Sequence, residues 1–215
     1  MLIAIATEKG GVGKTTIATN FAAMRAAQTD SVKLIDTDNA KYANQWGMVR
    51  RAAGVTPDIR LAMMQGNIYS DLMAEREALD TVVVDVPAGD SVELRLACAA
   101  ADVLIIPLSV GQFDTWSLGT MGVLVNELRQ TRPALRVYSV LNKVPPSAKT
   151  ELRDSVAMLA EMSDFFTPAR TPIMDRMAFR SAARAGKGVT ELDGAADQKA
   201  IAEITSLYEE VFNHG

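Results

Sequence analysis

Short apolar runs that alternate with amphipathic stretches predict an α/β fold. The expected arrangement is one domain with a mostly parallel, twisted sheet covered by helices on both faces. Three observations carry this. The apolar runs are continuous, as in "TVVVDVP" from Thr81 and "DVLIIPL" from Asp102, which suits strands buried on both faces. The segments between the runs are long enough for helices. Polar residues with chemical potential fall at the ends of the runs, where parallel sheets place their binding crevices.

The elements follow in order along the chain. Met1 to Ala6 reads as a buried strand, too short for a helix. A glycine loop follows, then a helix from about Thr15 to Gln28. Ser31 to Asp36 reads as the second strand, Ala40 to Ala53 as a helix, and "DIRLAMM" from Asp58 as a short strand. Ser70 to Leu79 is expected to be helical, Thr81 to Pro87 a strand, and Val92 to Ala101 a helix. Then come a strand from Asp102, a helix from Ser117 to Gln130, a strand "RVYSVLN" from Arg136, and a helix from Lys149 to Met162. An extended piece at Thr171 to Met174 precedes a helix near Arg176 to Ala185, and Ala196 to Phe212 closes as an amphipathic helix.

Composition narrows the classes. The chain has 215 residues, 48% hydrophobic, enough for one well-buried domain. A net charge of -4 excludes a wholesale nucleic-acid coat protein, so any DNA contact needs a local basic patch. Aromatics at 6% argue against a base-stacking surface. Cys98 is the single cysteine, which excludes an internal disulfide and suits a reducing cytoplasm. The N-terminus has neither a signal-peptide pattern nor a membrane span, so a cytoplasmic protein is expected. Trp46 and Trp116 read as packing residues, and Cys98 as a small buried helix residue. Met63 and Met64 read as core filler or dimer surface, and His214 has no assigned role.

The chemistry concentrates in "TEKGGVGKTT", Thr7 to Thr16. Strand, glycine loop, Gly-Lys-Thr and helix together form a P-loop, so the fold is expected to be that of a single-domain P-loop NTPase. Gly10, Gly11 and Gly13 let the backbone curl so that N–H groups through Val12 and on to Thr16 face phosphate oxygens, at the positive end of the following helix. Lys14 is expected on the β- and γ-phosphates and the Thr15 hydroxyl on Mg²⁺. The strict pattern needs glycine where Glu8 stands. The loop instead fits K-G-G-x-G-K-[ST], which adds a second lysine, Lys9. Carboxylates end two strands: Asp36 and Asp38 in "LIDTD", and Asp85 in "VVVDVP". Beside a P-loop such groups can hold Mg²⁺ and its waters.

The Lys9 loop, the aspartates and the distal stretch "TPIMDRMAFRSAARAGKGVTEL" resemble the ParA/MinD superfamily of deviant Walker A ATPases. The resemblance runs from Met1 to at least Leu192. It is nearest the small ParA proteins of plasmid partition, the ParF-like type without an N-terminal DNA-binding domain, so residues 1–215 are expected to be one ATPase domain. It implies slow ATP hydrolysis with ATP and Mg²⁺ as cofactors. It implies that Lys9 reaches across an ATP-dependent homodimer to the partner's phosphates; a solvated loop lysine is the alternative. Asp38 would orient the attacking water, Asp36 would sit in the metal's outer shell, and Asp85 would be the Walker B group. Asn142, in "VLNKV", would read the adenine edge, and Pro172 and its neighbours would flank the base. The family's usual D-x-D-P-Q is here Asp36-Thr37-Asp38-Asn39-Ala40, so the proline and glutamine are missing.

The same resemblance implies a cycle: the ATP dimer binds DNA without sequence preference and is nucleoid-associated. A centromere-binding adaptor of the ParB or ParG kind stimulates release. The cargo is a plasmid, a chromosome region or a protein assembly. A DNA surface is expected on a helical ridge of Arg176, Arg180 and Arg184 followed by Lys187, with Arg180, Arg184 and Lys187 as the contacts. The alternatives are a membrane-cycling ATPase of the MinD type and a metabolic ligase or synthase. The acidic end of "AEITSLYEEVFNHG" disfavours a membrane-binding helix, so no membrane partner is expected.

Overall fold

Buried β-branched and leucine-rich runs set the centre of the molecule. The computed structural model describes residues 1–111, 115–193 and 197–213. The Trp116 side chain, the expected helix start at Ala196 and His214 lie outside the described residues. The strands are β1 (Leu2–Ile5), β2 (Val32–Asp36), β3 (Arg60–Met63), β4 (Thr81–Asp85), β5 (Val103–Leu108), β6 (Arg136–Leu141) and β7 (Thr167–Pro168). They form a sheet in the order β3-β2-β4-β1-β5-β6-β7. Every neighbouring pair is parallel. The helices are α1 (Lys14–Ala26), α2 (Tyr42–Ala52), α3 (Tyr69–Ala78), α4 (Val92–Ala100), α5 (Thr115–Thr131), α6 (Lys149–Glu161), α7 (Met177–Arg184) and α8 (Gln198–Phe212).

The strand period of two divides the core cleanly. Leu2, Ala4, Val82, Val84, Leu104 and Ile106 face one side and pack under α3 to α6, with Leu72, Ala97, Val125 and Leu159 among their partners. Ile3, Ile5, Val83, Val103 and Ile105 face the other side and meet α1, α2, α7 and α8 through Phe21, Trp46, Phe179 and Leu207. A sheet buried this way has no polar face, which is why its strands read as unbroken apolar runs. Trp46 is a packing residue, as expected, and its indole N–H also donates to the Lys187 carbonyl at 3.2 Å. Cys98 is fully buried in α4, and burial pushes its thiol up to about 12. Met64 packs on the core while Met63 is exposed.

Two elements differ from expectation for local reasons. The helix expected from Ala40 starts at Tyr42, because Lys41 adopts a left-handed φ of 58°. The edge strand falls at Thr167–Pro168, before the extended piece expected at Thr171 to Met174. That later piece instead runs past the end of β6, with a single bridge between Val144 and Met174. The reversal of strand order around β1 opens a crevice at the carboxyl ends of β1, β4 and β5. The phosphate loop and the aspartates lie there.

Candidate nucleotide site

The loop from Thr7 to Thr16 leaves β1 and enters α1 through Gly13, whose φ is 93°. No side chain fits there: a Cβ on Gly13 would lie 2.3 Å from Asn142 Nδ2. The loop is folded around Lys14. Its ammonium donates to the carbonyls of Thr7 at 3.2 Å and Lys9 at 3.0 Å, and only 7% of the residue is exposed. Burial lowers the pKa of Lys14, against the opposing pull of Asp85 and Asp38. Lys9 is half-buried at the rim of the loop.

The carboxylates divide into distinct environments. Asp85 ends β4 and pairs in register with Ile5 of β1 and Asp36 of β2. Its Oδ2 accepts from Thr15 Oγ1 at 2.6 Å, and its buried Oδ1 has no hydrogen-bond partner among the described residues. Burial pushes this carboxyl up to about 7; the Thr15 bond opposes the shift and the nearby Asp36 charge adds to it. Asp36 is also buried, with both oxygens engaged by the backbone: Oδ1 takes the Asp38 N–H at 3.0 Å and Oδ2 the Asn44 N–H at 2.9 Å. Burial raises its pKa despite those bonds. Asp36 thus ties the loop after β2 to the start of α2. Asp38 is half-buried and accepts from the Ala40 N–H at 2.9 Å.

A cavity of about 360 Å³ is lined by Gly10, Gly11, Gly13, Lys14, Thr15 and Thr16, closed by Asp38, Tyr42, Ala88 and Lys143. A second, about 260 Å³, adjoins it and is lined by Thr16, Asn142, Lys143, Met174, Asp175 and Phe179, with Arg176, Arg180 and Ala183 at its α7 side. The first is lined by the glycine loop, two threonines and two lysines, Lys14 and Lys143. The second has apolar walls in Met174 and Phe179. The pair matches a phosphate chain and a flat base in size and chemistry.

A family model described as the CobQ/CobB/MinD/ParA nucleotide-binding domain matches residues 3–189. The chain belongs to this family. Among ParA/MinD-family relatives, the maintenance of carboxysome distribution protein A of Halothiobacillus neapolitanus is 31% identical, over 97% of this chain and 95% of that one. The chromosome-partitioning ATPase Soj of Thermus thermophilus is 31% identical over 65% of this chain and 67% of its own length. The fold matches the ATP complex of Cyanothece McdA with a TM-score of 0.77 at 15% identity, covering 99% of this chain and 96% of that one.

Within this ParA/MinD-family site, the remaining expected residues have distinct surroundings. Asn142 is buried and lines the second cavity; its Nδ2 donates to the Val12 carbonyl at 2.7 Å, which uses one of the two amide protons and leaves Oδ1 and the other proton. Pro172 is not among the residues lining the second cavity; Met174 and Asp175 take that place. The basic ridge requires correction. Arg176 precedes α7 and is tied to Glu203 at 2.6 Å and Asp197 at 3.4 Å. Lys187 lies beyond the helix, after a left-handed Gly186, and pairs with Asp193 at 2.7 Å. Arg180 pairs with Asp175 at 3.4 Å and borders the second cavity. Of the four, Arg184 alone has no ion pair among the described residues.

Sequence reasoning missed two features. Lys143 follows Asn142 directly, yet nothing in "VLNKV" marked it. Arg50 is 1% exposed and bonds Glu191 through both guanidinium ends, at 2.7 and 2.8 Å, while also donating to the carbonyls of Pro57 and Gly186. This pair joins α2 to the chain after α7. Gly186 must be glycine here, because a Cβ would lie 2.3 Å from the Arg50 backbone nitrogen and φ is +64°.

Proposed function

We propose that this chain is a cargo-positioning ATPase that binds Mg²⁺–ATP, pairs with a second copy around the nucleotides, and hydrolyses ATP slowly until a partner stimulates it. The observation that carries the reading is one loop with two lysines. Lys14 is buried inside it, beside the Thr15–Asp85 bond, and Lys9 stands at its rim.

Lys14 and the N–H groups from Gly10 to Thr16 hold the phosphates, through Gly11, Val12 and Gly13. The residues fit Mg²⁺: a hydroxyl on Thr15 and a carboxylate on Asp85 are hard oxygen donors, and Asp85 Oδ1 has no hydrogen-bond partner among the described residues. Asp36 belongs to the outer shell, where it holds the following loop. When bound, the metal neutralises charge on the phosphates. Asp38 lines the phosphate cavity and orients the attacking water. Asn142 Oδ1 accepts from the adenine amino group, and Pro172, two residues before Met174 in the chain, flanks the base.

Lys9 acts across the dimer, on the partner's phosphates. The ATP-bound dimer holds duplex DNA without sequence preference, with Arg184 as its best-placed contact and Arg180 and Lys187 as lesser ones, and is nucleoid-associated in that state. The named roles of the relatives in carboxysome distribution and chromosome partitioning support a positioning cycle. The carboxysome relative, which spans nearly the whole chain, favours a large protein body as cargo. A plasmid with a centromere-binding adaptor of the ParB or ParG kind is the second cargo. No helix among the described residues is long and apolar enough to cross a membrane.

The test is nucleotide binding and turnover with purified protein. Wild type should hydrolyse ATP only with Mg²⁺ and without any small-molecule co-substrate. Lys14→Ala should lose at least about a hundredfold in ATP affinity, the worth of a desolvated charge-assisted contact. Retained affinity would sink the site assignment, and a strict need for a carboxylic acid or amine co-substrate would favour a ligase.

A further inference from the structure

Directly after β6, two consecutive residues donate to two consecutive carbonyls of the phosphate loop. Asn142 Nδ2 reaches the Val12 oxygen at 2.7 Å, and Lys143 Nζ reaches the Gly11 oxygen at 2.7 Å. Lys143 holds an unusual backbone for this purpose. Its φ is 53°, in the left-handed region that non-glycine residues rarely enter and that costs on the order of 1 kcal/mol. The residues around it are pinned: Asn142 N–H to the Leu108 carbonyl at 2.7 Å, Val144 N–H to the Ile173 carbonyl at 3.1 Å. The aliphatic part of Lys143 lies over Gly13, where a Cβ would come within 3.3 Å of its Cε. Lys143 also lines both cavities, a property it shares, among the described residues, only with Thr16.

We propose that Lys143 is a further positioning residue for the nucleotide, a third cation that braces the phosphate loop and stands where the base cavity opens into the phosphate cavity. Two carbonyls drawn toward β6 leave the loop's N–H groups turned to the opposite side, into the phosphate cavity. An ammonium has three N–H donors, and the Gly11 bond uses one. The others are in place for a phosphate oxygen on the base-proximal side of the chain, while Lys14 serves the interior side. The inference rests on the nucleotide reading above.

The experiment compares wild type with Lys143→Met, which keeps the aliphatic cover over Gly13 and removes the charge, and Lys143→Arg, which restores a cation. Dissociation constants are measured for ADP, ATP and adenosine, with thermal midpoints alongside. Lys143→Met should weaken ADP and ATP by about tenfold, equivalent to about 1.4 kcal/mol, and leave adenosine unchanged within about twofold. Lys143→Arg should recover most of the loss. In turnover the Met variant should raise KM and leave kcat nearly unaltered, as loss of ground-state binding does. Unchanged ADP affinity in the Met variant overturns the proposal. So does an equal loss for adenosine and ADP, or a lowered thermal midpoint with no selective phosphate loss. If wild type itself binds no ATP, the nucleotide reading fails instead, which separates the two failures.

Discussion

Thr15 Oγ1 donates to Asp85 Oδ2 at 2.6 Å, and this bond ties the first turn of α1 to the end of a strand 70 residues away. It holds the hydroxyl and the carboxylate side by side at the floor of the loop before any ligand arrives. The second Asp85 oxygen is buried without a hydrogen-bond partner among the described residues, which is costly unless something else meets it. The same burial raises the Asp85 pKa, and the sheet register that sets Asp85 beside Ile5 and Asp36 fixes where this oxygen stands.

Removing Asp38 should separate binding from turnover. Asp38→Ala keeps Lys14, Thr15 and Asp85, so ATP affinity should stay within about threefold. Hydrolysis should fall at least about tenfold, because water positioning matters on the way to the transition state. Radiolabelled phosphate release beside equilibrium binding tests it. Unchanged turnover would take Asp38 out of the mechanism.

Lys9 should matter between molecules. Lys9→Ala is expected to weaken ATP-dependent dimerisation by about tenfold or more, while monomer affinity for ATP stays within about threefold. Sedimentation with a non-hydrolysable analogue reads both states. A normal dimer would reduce Lys9 to a rim charge.

The buried pair Arg50–Glu191 should dominate stability far from the phosphates. Glu191→Ala leaves the guanidinium buried against the Pro57 and Gly186 carbonyls and the Trp46 ring, and breaking such a pair costs on the order of 3 kcal/mol. Urea denaturation measures the loss. A change below about 1 kcal/mol would show that the Pro57 and Gly186 carbonyls suffice to hold the arginine.

Acid stability should depend on Asp102. Burial pushes its carboxyl up, but the Arg76 hydrogen bonds, the Leu2 N–H and the Arg76 charge outweigh burial, so its pKa is lowered overall. Between that lowered value and the ordinary one, the unfolded state binds more protons than the folded state. The contribution is therefore present above the ordinary carboxylate value and is lost as pH falls through the folded value. Asp102→Asn should be less stable at neutral pH and show a shallower loss below pH of about 4. Thermal midpoints across that range decide it; parallel curves for the two proteins would refute the linkage.

Much of this was legible in the residues. The parallel sheet was readable because strands buried on both faces must be apolar throughout, as "TVVVD" and "VLIIPL" are. The phosphate loop was readable because glycines and Gly-Lys-Thr stand together in the chain. The Arg176–Lys187 ridge was not, because periodicity does not reveal partners: Glu203 and Asp197, from α8 and its start, neutralise Arg176. Arg50 was hidden for the same reason, since an arginine on an amphipathic helix reads as solvent-facing until Glu191 is brought to it. β7 is only two residues long, below what an apolar pattern can mark.

The Arg50–Glu191 pair also sets a schedule for the nascent chain. Arg50 is synthesised 141 residues before its carboxylate partner. At bacterial-to-eukaryotic translation speeds of roughly 5–20 residues per second, the gap is about 7–28 seconds. During that interval α2 can close over the sheet only by burying a guanidinium that still lacks its counter-charge. Arg50 therefore gains its carboxylate only when residue 191 of 215 has been made. The base-side wall, with Met174 and Phe179, is likewise made only after Asn142 and Lys143 are available to the phosphate loop.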